Sequence, residues 1–150
     1  MGFLNFEKTD RVAAHKLKLA DCNAGSSQSQ TSAGLGVKYD GHAVRSIRCH
    51  ELVADSLGRI LRRISDGPHR GILAKYAGCY NPRPMRGGNR PSKHSWGAAI
   101  DLDPDHNGLK TSWPVAATMP IEVMEEFARE GWIGLGWQIG RDSMHFQPTR

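Results

Sequence analysis

Across residues 43–65 apolar side chains recur every three or four positions. Val53, Leu57, Ile60, Leu61 and Ile64 share one face, and Val44 and Ile47 extend it. The spacing predicts one amphipathic helix over 43–65, stopped at "DGP" by Gly67 and Pro68. A stripe of that width has to be covered by a second apolar layer. The segment "GAAIDLD", residues 97–103, offers one. It alternates at the strand period, so Ala98, Ile100 and Leu102 share one face, free to pack on the helix. Ala99, Asp101 and Asp103 stand on the other. Arg59, Arg62 and Arg63 lie off the helical stripe and read as a solvated face rather than a nucleic-acid footprint.

The remaining segments fill in around this pair. Residues 7–22 are expected to form a short helix, and the Gly-, Ser- and Gln-rich stretch 23–36 a mobile loop. Residues 71–80 have strand character, and 81–95, "NPRPMRGGNRPSKHS", is a loop. A helix is expected over 120–131, opened by Pro120 and closed by Gly131, with Ile121, Met124, Phe127 and Ala128 as its apolar face. Residues 143–147 form a last short strand. A few strands with flanking helices, not in strict alternation, indicate an α+β fold with a small mixed or antiparallel sheet. The 150 residues suit a single domain, 1–150, in which 1–36 carry no assigned role.

Hydrophobic content of 39% and charged content of 23% are those of a soluble globular protein. The formal net charge of +5 attracts anionic partners, whether nucleic acid, an anionic envelope or acidic lipid. The basic residues are spread out without aromatic interleaving, which argues against nucleic acid. Cys22, Cys49 and Cys79 are odd in number and form no C-x-x-C pair, so they read as reduced. No apolar run approaches the roughly 18 residues of a membrane span. "MGFLNFEKTD" lacks the pattern of a signal peptide, and Phe6 stands where myristoylation needs Ser or Thr. The expectation is a monomer made in the cytoplasm, without stable membrane association.

The chemistry gathers around the strand at 97–103. Asp101 stands on its open face above small Ala99, and Gly97 lets the chain turn so that His94 reaches the same space. A catalytic zinc takes three protein donors and keeps a fourth position for water. "GRDSMHFQ" offers the third donor, His145, and Asp142 three residues earlier. Those two would face opposite ways on a regular strand, so a bend is expected between them, at Ser143. Asp142 would then hold the water and act as general base. Of the other histidines, His15, His42, His50 and His69 read as surface or helix-packing residues, and His106, in "DPDHNG", as a turn residue. Scattered His and Asp residues alone often mean nothing.

"SKHSWGAAIDLDPDHN" followed by a distal "DSMHFQ" resembles the zinc D-alanyl-D-alanine carboxypeptidase and L-alanyl-D-glutamate endopeptidase family. It includes VanY-type enzymes and many phage endolysins, and shares its fold with the hedgehog signalling domain. Ser92, His94, Gly97, Ala99 and Asp101 match its S-x-H-x-x-G-x-A-x-D element, and Asp142 and His145 its D/E-x-x-H element. The likeness runs over roughly residues 70–148. It implies one zinc ion held by His94, Asp101 and His145, with Asp142 as general base. It also implies an upstream arginine that steadies the substrate carbonyl; Arg83 in "YNPRP" is best placed, ahead of Arg86 and Arg90. Ser92 either orients substrate or a ligand, or caps a turn. The family segment before the last ligand is often rich in W-G-G, whereas here it reads "WIGLGWQIG". Trp132 and Trp137 either wall the cleft or belong to the core. The implied activity is hydrolysis of amide bonds in peptidoglycan stem peptides, as in an endolysin acting on the wall after release. A D-alanyl-D-alanine carboxypeptidase and a non-catalytic zinc-containing binding module are the alternatives.

Overall fold

The computed structural model describes residues 34–149 and, in backbone, the strand Leu19–Cys22. That strand, β1, lies within the helix expected over 7–22, so its last turn is corrected to extended chain. The rest of that helix and most of the loop 23–36 lie outside the described residues. β2 (Lys38–Tyr39) and β3 (His42–Ala43) form a hairpin. Asp40 (φ 48°) and Gly41 (φ 79°) turn it, both in the left-handed region that a two-residue turn needs.

The helix expected over 43–65 is shorter. β4 (Ile47–His50) pairs antiparallel with β1, and a 3-10 turn, Glu51–Val53, leads into α1 (Ala54–Asp66). Ile47 and Cys49 are buried while Arg48 between them is exposed, which is strand alternation. Val44 and Ile47 therefore do not extend the helical stripe; β1 supplies the ladder that holds this stretch extended. His50 is buried, and its Nδ1 accepts the Leu52 N–H (3.1 Å), capping the turn between strand and helix. α1 buries Leu57, Ile60, Leu61 and Ile64, as its spacing predicts. On its outer side Arg59 pairs with Glu130, and Arg63 with Glu126 and Glu130.

Residues 70–75 are also not a strand. They form a 3-10 helix, Arg70–Lys75, before β5 (Tyr76–Gly78). Ile72 and Leu73 are consecutive apolar residues, which a strand would send to opposite faces. The tight turn instead carries Leu73 into the core and leaves Ile72 partly buried against it.

β6 (Ile100–Leu102) is followed directly by a short helix, α2 (Pro104–Asn107). α3 (Ile121–Ala128), β7 (Trp132–Gly134), α4 (Leu135–Ile139) and β8 (His145–Pro148) complete the chain. The main sheet is antiparallel with strand order β5-β6-β8-β7, an α+β arrangement. α3 buries Val123, Met124 and Phe127, while Ile121 and Ala128 are exposed, so its apolar face is rotated from the expected one. Phe127 sets that rotation by stacking on Phe146 at 3.9 Å and tilting against Trp132 at 5.8 Å. Ile100 and Leu102 join one buried cluster with Leu57, Ile60, Leu61 and Ile64 of α1. Burying six such side chains contributes roughly 1.5–3 kcal/mol each.

Candidate metal centre

The register of the two central strands sets the first pair of donors. Asp101 on β6 lies directly opposite His145 on β8, and Ile100 opposite Phe146. Cross-strand partners share a face, so the pairing that buries Ile100 against Phe146 also puts Asp101 beside His145. His94 arrives from a 3-10 turn, Lys93–Trp96, whose cap is Ser92; the Ser92 hydroxyl oxygen accepts the His94 N–H at 3.3 Å. Gly97 closes this turn at φ 65°. Its carbonyl accepts the His50 N–H at 2.9 Å and the Cys79 thiol at 3.6 Å. A Cβ at this position would come within 2.8 Å of the His50 nitrogen. Only glycine allows the chain to press onto β4 here, and that contact aims His94 at Asp101.

The donor atoms of His94, Asp101 and His145 lie within 4.8 Å of one another. His145 Nδ1 is 3.1 Å from Asp101 Oδ1, and His94 Nε2 is 3.2 Å from Asp101 Oδ2. The His94 contact is close but not aligned as a hydrogen bond, leaving Nε2 as a buried polar atom without a hydrogen-bond partner among the described residues. The opposite ring nitrogens are both engaged. His94 Nδ1 lies 2.7 Å from the Cys79 carbonyl, and His145 Nε2 lies 2.9 Å from Gln147 Oε1. Each acceptor draws the ring proton outward and turns the other nitrogen's lone pair inward. Two imidazoles and a carboxylate so disposed fit a zinc ion with a position left for water.

Asp142 stands outside this trio, near enough for its charge to act on His145. The bend expected at Ser143 falls one residue earlier, at Asp142 itself (φ 57°), and the His145 N–H closes onto the Asp142 carbonyl at 3.1 Å. Asp142 Oδ1 is buried and, among the described residues, has no hydrogen-bond partner. Burial raises the proton affinity of its carboxyl, and the negative charge of Asp101 adds to this against the opposing pull of His145, Arg86 and His94. Asp101 goes the other way. Burial pushes it up, but its contacts with His145 and His94 outweigh that and hold it well below the usual carboxylate range. Burial likewise lowers His145, yet Asp101 above all, with Gln147 and Asp142, raises it overall. Two carboxyls acting on the same imidazole thus carry opposite shifts, Asp101 held charged and Asp142 pushed toward its neutral form.

The loop 81–95 is stitched to the His94 turn through Arg83. The Arg83 N–H donates to Ser95 Oγ (3.1 Å), and the Arg83 carbonyl accepts from the Ser95 hydroxyl (2.9 Å) and the Ser92 N–H (2.9 Å). The Arg83 guanidinium lies near the Pro84 carbonyl, at 3.5 Å, and lines a cavity of about 410 Å3 with Asn89, Pro91 and Trp96. None of the three donors lines that cavity. Trp132 is a core residue, not a cleft wall: it is buried, and its Nε1–H donates to Ser56 Oγ at 3.0 Å. Trp137 is 53% exposed on α4. His106 is exposed, with Nδ1 on the Asp103 carboxylate at 2.9 Å.

Two outer contacts escaped the reading of the sequence. The Cys79 carbonyl is main chain and leaves no trace in residue type. Gln147 does leave one, since it stands two positions after His145 on the same strand, hence on the same face. Asn107 was also missed. Fully buried, its Oδ1 accepts the Thr118 N–H (3.0 Å) and Met119 N–H (2.7 Å), pinning the loop after α2.

Residues 86–148 match the family described as D-alanyl-D-alanine carboxypeptidase. The matched stretch contains His94, Asp101, Asp142 and His145, and begins after Arg83. No curated protein and no solved structure matches the chain.

Proposed function

We propose that this protein is a zinc metallopeptidase that hydrolyses amide bonds in peptidoglycan stem peptides. The observation that carries the reading is a set of two imidazoles and a carboxylate converging beside a buried, unpartnered carboxylate oxygen. His94 through Nε2, Asp101, and His145 through Nδ1 would hold the metal. Zinc, when bound, polarises the scissile carbonyl and brings the pKa of water to about 7. Asp142 Oδ1 takes the proton of the attacking water and passes it to the leaving amine nitrogen. A cation from the 83–90 loop steadies charge developing on the carbonyl oxygen, a contribution of a few kcal/mol. Arg83 is the residue proposed for this. Arg86 is the second reading, favoured by the reach of its charge to Asp142. Ser92 serves by orienting His94, and Trp137 offers its exposed ring to the peptide.

The finer assignment is a phage-type endolysin of the L-alanyl-D-glutamate endopeptidase kind, with the positive net charge holding it on an anionic wall. A D-alanyl-D-alanine carboxypeptidase is the second reading, favoured by the description of the family matched at 86–148. Mass analysis of digested peptidoglycan separates them, because new internal termini mark an endopeptidase and loss of terminal D-alanine alone marks a carboxypeptidase. Purified protein should carry about one zinc. His94→Ala and Asp101→Ala should lose it, and full occupancy in both would refute the ligand set. Asp142→Asn should keep zinc and lose almost all hydrolysis; near-native turnover would remove Asp142 as base. Arg83→Ala and Arg86→Ala, compared in kcat, decide which cation serves.

A further inference from the structure

We propose that Gln147 is a positioning residue for the metal, its side-chain carbonyl selecting the His145 tautomer that presents Nδ1 to the ion. The proposal rests on the reading of His94, Asp101 and His145 as zinc ligands. Gln147 Oε1 lies 2.9 Å from His145 Nε2. A side-chain carbonyl oxygen only accepts, so the shared proton belongs to Nε2. A neutral imidazole has one ring proton, and with that proton on Nε2 the lone pair is on Nδ1. Nδ1 in turn faces Asp101 Oδ1 at 3.1 Å, which is a second acceptor. Acceptors at both nitrogens leave a neutral ring with one opposed pair of lone pairs, and a cation between Nδ1 and Asp101 turns that opposition into two bonds.

His94 is held in the same manner by the Cys79 carbonyl, a main-chain atom that no side-chain change removes. At His145 the corresponding acceptor is a side chain, so the effect can be isolated. Gln147 sits opposite Ile133 in the β7–β8 ladder and is only partly buried. Its backbone bonds survive substitution, and the strand continues to hold His145 in register.

The test titrates the full-length protein with zinc against a chelating indicator, for wild type, Gln147→Leu and Gln147→Glu. Leu removes the acceptor, and zinc affinity should fall by about 10–100-fold, the usual effect of losing an outer-sphere partner of a metal-bound His. Glu keeps an acceptor and should bind within a few-fold of wild type. Nitrogen-15 spectra of the zinc-loaded wild type should show the His145 proton on Nε2. In zinc-free Gln147→Leu at high pH the proton should move to Nδ1, where Asp101 Oδ1 is the acceptor that remains. Wild-type affinity in Gln147→Leu, or equal losses in Leu and Glu, would overturn the role of Gln147 while leaving the ligand set intact. Failure of wild type to bind zinc at all would overturn both. Unchanged melting temperatures across the three proteins exclude simple unfolding as the cause.

Discussion

Replacing Gly97 by alanine probes the contact on which the geometry of the centre depends. Gly97 is at φ 65°, and a left-handed conformation costs a residue with a β-carbon about 1–2 kcal/mol. The new methyl would also meet the His50 nitrogen at 2.8 Å and the Cys49 Cα and carbonyl carbon at 3.0 Å. These are backbone atoms of a paired strand and cannot rotate away. The His50 N–H to Gly97 carbonyl bond, 2.9 Å long, must therefore stretch or break. A buried amide left unpaired costs about 1–3 kcal/mol, for a total of about 2–5 kcal/mol. Gly131→Ala is the control. Its φ is 77°, but none of the described residues lies within 4 Å of the added methyl, so only the backbone contribution applies. Urea unfolding of both variants separates the two contributions, and zinc titration of Gly97→Ala reports how far His94 has moved from Asp101. Equal stability losses in the two variants would refute the close approach, and undiminished zinc affinity in Gly97→Ala would refute its role in aiming His94.

Asp142 is expected to trade stability for chemistry. Its carboxyl has a raised proton affinity in the folded chain, so stability is lost as pH rises from the ordinary 3.8 through the raised value, and stays lost above it. In chelator-treated protein Asp142→Asn should therefore melt higher than wild type at neutral pH, with the difference vanishing below 3.8; a lower melting point at neutral pH would contradict this. Asn107→Ala orphans the buried Met119 amide and removes the acceptor of the less buried Thr118 amide, and should cost about 1–3 kcal/mol in urea unfolding. A change indistinguishable from that of an exposed loop substitution would refute the pinning role.

Within the candidate centre the strand period gave the face of Asp101, whereas the grouping of His94, His145 and Asp142 with it rested on the resemblance to the zinc peptidase family. Alternation along 97–103 sends Ile100 and Leu102 to one face and Asp101 to the other whatever the strand pairs with. The same period places Gln147 beside His145, a signal present in the chain and passed over. The stripe of α1 likewise needs only the helical repeat. Three features did not follow from any such rule. Ile47 and Cys49 satisfy a strand as well as the edge of a helix, and β1, more than 20 residues upstream, tips them to strand by supplying backbone partners. α3 turned its face to Val123 because Phe127 found Phe146, and Trp132 went to the core rather than the cleft for want of any other partner to fill it. The strand bearing His145 came to lie beside β6 only through the register of Ile100 on Phe146. Periodicity is a property of neighbours along the chain and states which side a residue takes. What waits on that side is set by packing between segments far apart, and here that packing brought His145 opposite Asp101, with Gln147 on its outer nitrogen.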